Sequence, residues 1–178
     1  MTASQYNRTP GRLVDASTLV IQRRLPGTPE RVWAYLTDSS LRRQWLASGD
    51  MPAGKGAAFE LVWRNDELSA SAEERPDGFP AESRGGCEML EFDPPRRLHY
   101  VWSGVGEVLV ELAPAGDEVL LTLTHRKLAG ERLVLNVCAG WDSHLVLLVA
   151  RVEGTPPPSL WSTWKQRRQE YALRLQAG

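Results

Sequence analysis

The chain has 178 residues, and its 21 Lys and Arg against 22 Asp and Glu leave a formal net charge of −1 at pH 7. That length suits one compact domain with a real core, and that balance lacks the basic footprint of a nucleic-acid partner or an anionic membrane surface. Two cysteines, Cys87 and Cys138, are too few for a disulfide framework and are read as reduced thiols. With no signal-like apolar region and no uninterrupted apolar run of about 18 residues, the expectation is a cytoplasmic protein without a membrane span.

Residues 1–17 are polar and read as a flexible segment, and TLVIQRRL (18–25) is the first strand, from its β-branched content. In PGTPERVWAYLTDSSLRRQWLASG, Thr28 can cap a helix that starts on Pro29, with Val32, Trp33 and Leu36 as its apolar stripe. Asp38, Ser39 and Ser40 interrupt that stripe, and Leu41 and Trp45 mark a second short helix. From residue 57 the period falls to two, with Phe59, Leu61 and Trp63 on one face of a strand. Residues 64–84 carry acids, Pro, Gly and Ser without periodicity and are expected to be a long exposed loop.

GCEMLEFDPPRRLHYVW (86–102) reads as a β-hairpin turned at the double proline, followed by strands EVLVEL (107–112) and EVLLTLTHR (118–126). The parity of the first hairpin strand stays open: Glu88, Leu90 and Phe92 share one face, Cys87 and Met89 the other. Residues 130–154 hold the longest helical pattern, ended by Gly154 and prolines 156–158. Residues 155–178 then form a Pro-rich linker and an amphipathic helix with Trp161, Trp164, Tyr171 and Leu175 near one face.

One strand, two short helices, hairpin-linked strands and a long helix define an α+β fold, an antiparallel sheet whose apolar face is covered by the long helix. Its covered set is Phe59, Leu61, Trp63, Leu98, Tyr100, Trp102, Val108, Val110, Leu112, Val119, Leu121 and Leu123. TPERVWAYLTDSSLRRQWLASG, GCEMLEFDPPRRLHYVWS, EVLLTLTHRKL and AGWDSHLVLLVARVEG, in that order, resemble landmarks of the SRPBCC (START-like, helix-grip) superfamily, in its branch of activator of heat-shock protein 90 ATPase homologues. The resemblance spans residues 18–154 and implies a curved sheet wrapped around the C-terminal helix with a mostly apolar cavity between them. It implies a hydrophobic small-molecule partner, with a stress or co-chaperone-like role as family likeness.

Candidate ligand-binding residues are Trp45, Trp63, Tyr100, Trp102 and Trp141, whose rings suit an apolar ligand or simply fill the core. Phe59 and Leu121 join them from the sheet and Leu145 from the helix. His125 ends the covered face of its strand, either as a ligand contact with a depressed pKa or as a locally bonded rim histidine. His144 lies at the edge of the helix stripe, within reach of the cavity or solvated. Asp142 and Asn136 are expected on the surface. No cofactor or metal is implied, because His99, His125, His144, Cys87 and Cys138 form no close-spaced ligand pair. Gly104 and Gly106 in SGVGEV signal only a turn, and there is no nucleophile-elbow motif.

Three readings follow: a non-enzymatic binding module; a polyketide cyclase or aromatase-like enzyme using His125, Glu88 or His144; and an interaction module whose C-terminal helix meets a chaperone or a second copy through Trp161 and Trp164.

Overall fold

The computed structural model describes residues 3–177. A helix, α1 (Ala3–Arg8), and an edge strand, β1 (Arg12–Asp15), occupy the stretch expected to be flexible. Strand β2 (Thr18–Pro26) leads to α2 (Pro29–Thr37) and α3 (Ser39–Arg42). Then come β3 (Ala58–Trp63), β4 (Ser83–Asp93), β5 (Arg97–Trp102), β6 (Gly106–Ala115) and β7 (Glu118–Arg126). The chain closes with α4 (Glu131–Glu153) and α5 (Leu160–Ala177). The strands form one antiparallel sheet in the order β1-β2-β7-β6-β5-β4-β3. This is the helix-grip α+β architecture.

Local chemistry explains the helix boundaries. Thr28 accepts a hydrogen bond from the Arg31 amide ahead of Pro29, and Asp38 ends α2 while its carboxylate accepts from the Ser40 and Leu41 amides to start α3. Gly154 closes α4 in the left-handed conformation, at φ 71°. Alternation also places the sheet's inner face as expected: Leu61, Leu98, Tyr100, Val108, Val110, Leu112, Val119, Leu121 and Leu123 are buried. In β4 both parities hold in turn, because a register shift between Met89 and Glu91 changes the face. Cys87 and Met89 point inward before it, and Phe92 packs edge-on against Trp33 after it. Glu88 is exposed.

Helix α4 is long and apolar enough to cross a bilayer, yet it is the core helix, gripped by the sheet and backed by α5. Asp142, expected on the surface, is fully buried at its centre. Its Oδ1 accepts from the Arg23 guanidinium at 2.5 Å, and its Oδ2 accepts from the Gly11 amide at 3.1 Å and from the Tyr171 hydroxyl. Arg23, only 1% exposed, also donates to the Thr9 and Gln22 carbonyls. Burial lowers the Arg23 pKa, with Asp142 opposing that shift, and raises the Tyr171 pKa. The node joins the N-terminal arm, β2, α4 and α5. Charges this deep persist only when paired and bonded.

The stretch 64–84, expected to be an exposed loop, holds a short 3-10 turn at Asn65–Glu67, packs against α5 and enters β4 at Ser83. Two of its acids, Asp66 and Glu73, find partners on α5, whereas Glu67 pairs with Arg43 and Glu82 with Arg64 and Arg84. Replacing Asp142 with Ala is expected to cost about 3–5 kcal/mol by stranding the buried Arg23, and Tyr171→Phe about 1.5–3 kcal/mol for one bond to a charged group. Urea unfolding measures both, and Arg23→Met added to Asp142→Ala should recover part of the loss.

Candidate functional site

The centre of the sheet-to-helix interface is filled. Trp45, Tyr100, Leu121, Trp141 and Leu145 surround a residual void of about 10 Å³, no more than a single water could occupy. Trp45 is 2% exposed, with its indole N–H donated to the Tyr35 carbonyl. Phe59 sits apart, half-buried and edge-on to Tyr100 at 5.6 Å.

Space opens at one end of α4. A cavity of about 270 Å³ lies between α4, α5, the ends of β3 and β5, and the 65–83 segment, near the lower end of the roughly 300–1,000 Å³ usual for small-molecule sites. Its walls are mostly aromatic: Trp63, Trp102, Trp141, Trp161, Trp164 and Phe79, with Leu46, Val137 and Leu160 between them. Trp63 and Trp102 stack at 4.8 Å with an interplanar angle of 19°, and Gly85 permits it, since a Cβ there would sit 2.4 Å from Trp102 Nε1. Gly140 lies mid-helix on the cavity wall, and a Cβ added there would meet nothing within 4 Å.

Polar groups are few. His144, 7% exposed, places Nδ1 2.8 Å from the Trp45 carbonyl oxygen. A carbonyl only accepts, so Nδ1 carries the proton and Nε2 keeps its lone pair. Burial pushes the His144 pKa down to about 4, against a smaller upward pull from that carbonyl, so the ring is neutral at pH 7. His125 has the opposite tautomer: its Nδ1 accepts from Trp141 Nε1 at 2.9 Å, and its Nε2 faces the Val105 carbonyl without reaching hydrogen-bond geometry. It too is buried and pushed down to about 4, but it stands behind Trp102 and Trp141 rather than on the cavity wall. Asn65, Ser83 and Asn136 complete the polar lining, and Asn65 Oδ1 is the one buried side-chain oxygen without a partner among the described residues.

Of the residues singled out in the sequence, Trp63, Trp102, Trp141 and His144 meet at this cavity. Gly140, Phe79, Asn65, Leu160, Trp161 and Trp164 are among the further lining residues that the sequence did not mark as ligand contacts. An isolated glycine inside a strong helical pattern was the one readable signal. Trp161 and Trp164, weighed as anchors for the sheet or a partner, instead close on Phe79 and Ala139 within the chain. Among the described residues no group of three or more His, Cys, Asp or Glu is placed to hold a metal ion.

The curved sheet gripping α4 places the molecule in the SRPBCC superfamily. Within it, the chain belongs to the Activator of Hsp90 ATPase homolog 1-like protein family, whose sequence pattern matches residues 26–153. Among solved structures it is similar to a Bordetella parapertussis protein determined by solution NMR, at 38% identity and TM-score 0.77, covering 98% of this chain and 95% of that one. CalU16 from Micromonospora echinospora, at 23% identity, shares the fold with TM-score 0.63 over 92% of this chain and 93% of its own. A conserved Enterococcus faecalis protein of unknown function, 18% identical, does so at 0.65 over 99% and 98%. No curated protein matches the chain.

The matched span stops before α5, which forms the roof of the cavity. Glu73 latches that roof: its carboxylate accepts from the Trp161 and Ser162 amides at 3.2 and 3.0 Å, the Ser162 hydroxyl at 3.0 Å, and the Ser69 hydroxyl. Ser69 in turn accepts from the Leu160 amide, and Asp66 from Trp161 Nε1 at 2.8 Å. The first turn of α5 is thus capped by the segment across the cavity. Partial burial would raise the Glu73 pKa, but these hydrogen bonds outweigh it and hold the group at about 2, below its ordinary 4.5. A carboxylate depressed by folding stabilises above its unfolded pKa and loses that contribution as pH falls through the folded one. Hydrogen exchange at the Trp161 and Ser162 amides, corrected for intrinsic rate, should therefore show full protection above pH 4.5 and progressive loss toward pH 2. Glu73→Gln should show weakened protection at pH 6 and little further change over that window.

Proposed function

We propose that the protein binds a hydrophobic small molecule carrying aromatic rings in the cavity beneath α5. The observation that carries this reading is an aromatic-walled space of about 270 Å³ beside an interface otherwise filled to about 10 Å³. Gly140 supports it: glycine inside a helix costs roughly 1 kcal/mol relative to alanine, and here a side chain would occupy only empty space. That cost is what an open cavity requires. Family membership is consistent with a small hydrophobic ligand or a chaperone-related role at a general level, and we place the protein in the cytoplasm on its reduced cysteines.

A cyclase-like enzyme is the second reading, favoured by one observation: an imidazole lines the cavity with its Nδ1 held by the Trp45 carbonyl and its Nε2 lone pair left for a substrate proton. Of the three residues considered for such chemistry, His125 lies behind the wall and Glu88 on the exposed face of β4.

The test is a titration of ¹⁵N-labelled protein with 2-methylnaphthalene, followed at the indole N–H signals. Saturable shifts are expected at Trp63, Trp102, Trp141, Trp161 and Trp164, with Trp33 and Trp45 as unmoved references. Gly140→Leu should abolish binding by filling the space, while Gly140→Ala should retain it and raise stability by up to about 1 kcal/mol. Silence of the wild-type indoles toward both 2-methylnaphthalene and its hydroxyl analogue 2-naphthol, or unchanged binding by Gly140→Leu, means the cavity is not a ligand site.

A further inference from the structure

His144 is the cavity's most deeply buried polar side chain, and its hydrogen bonding is only half used. Nδ1 is committed to the Trp45 carbonyl, which is itself held in place by the turn after α3. There Arg42, 1% exposed, donates to the carbonyls of Leu36, Thr37, Ala47 and Gly49 and pins the backbone on both sides of Trp45. The imidazole cannot swap tautomers without breaking its bond, because a bare Nδ1 would face a carbonyl oxygen lone pair. Nε2 is therefore a fixed acceptor with no protein donor among the described residues. The indole N–H groups of Trp141 and Trp161 do not serve it, being given to His125 and Asp66.

Resting on the reading of this cavity as a ligand site, we infer that His144 Nε2 is a specificity-determining acceptor that selects planar aromatic ligands bearing an O–H or N–H donor. The ligand class is thereby narrowed from any apolar ring system to a hydroxy- or amino-substituted one, with its substituent against α4 and its rings between the tryptophan walls. An unsubstituted ring of equal size would leave a buried acceptor stripped of water and unpaired.

Three probes of matched shape separate the possibilities: 2-naphthol, which donates; 2-methoxynaphthalene, which keeps the oxygen but cannot donate; and 2-methylnaphthalene, which has neither. In a purely apolar pocket 2-methylnaphthalene binds best, because the hydroxyl of 2-naphthol must be desolvated without return. With His144 as acceptor the order reverses, and 2-naphthol binds about tenfold tighter than either analogue. His144→Phe should bring 2-naphthol down to the level of 2-methylnaphthalene. Because that variant also loses the bond to Trp45 and can fail to fold, the wild-type protein supplies a second readout. The ¹⁵N resonance of His144 Nε2 should be that of an unprotonated nitrogen in the free protein and should move upfield with 2-naphthol alone. Equal binding of the three probes, an Nε2 signal that ignores 2-naphthol, or a free protein protonated at Nε2 overturns the inference while leaving the cavity a ligand site. Silence of all three overturns the cavity reading and this inference with it.

Discussion

A carboxylate sealed inside the core helix is the constraint around which the molecule is arranged. Asp142 has no access to water, so its charge must be met by the Arg23 guanidinium, the Tyr171 hydroxyl and the Gly11 amide. Those groups come from β2, α5 and the N-terminal arm, and only one rotation of α4 about its axis satisfies them together. At about 100° per residue, Val137, Gly140 and His144 lie roughly half a turn away from Asp142. The same node that seats α4 in the sheet therefore turns its least filled face toward the cavity.

That cavity follows from unequal filling along a single helix. Over the middle of α4, leucines and aromatic rings from the sheet interlock until almost no space remains. Toward the N-terminal half the large rings stand as walls, Trp63 stacked on Trp102, Trp161 tied to Asp66 and Trp164 against Phe79, with nothing between them. The roof is built from two segments outside the regular sheet, the first turn of α5 and the stretch 65–83, joined by the carboxylate of Glu73. Floor and walls lie mostly within the span shared with the family, whereas α5 lies beyond it.

Two histidines with nearly the same burial have opposite tautomers because their neighbours differ in kind. His125 meets an indole N–H and must present a lone pair to it, whereas His144 meets a carbonyl and must present a proton. One is consumed in holding Trp141 upright. The other leaves an acceptor at the cavity. Burial keeps both neutral, so the distinction is one of hydrogen-bond direction rather than charge.

Strand and helix positions were legible in the sequence because they depend on periodicity and on capping chemistry confined to a few neighbours: Thr28 with Pro29, Asp38 between two helices, Gly154 at the end of the longest one. The inner face of β5, β6 and β7 followed from alternation alone, and four of the proposed ligand residues, Trp63, Trp102, Trp141 and His144, do line one cavity. Periodicity says which side of an element is covered, but not how tightly the covering groups fit. So Trp45, Tyr100 and Leu121, identical in pattern to their neighbours, went to a filled core. Asp142 looked like a surface residue because its partners lie 119, 131 and 29 positions away, and no local signal reports such distances. The stretch 64–84 looked like open loop for the same reason, since the α5 partners of Ser69, Asp66 and Glu73 lie 91, 95 and 88 positions away. By itself the sequence determined the elements, their order and the face each one buries, because these are local consequences of side-chain spacing. Only the tertiary structure decided where the core closes and where it stays open, because that depends on how distant surfaces fit against one another.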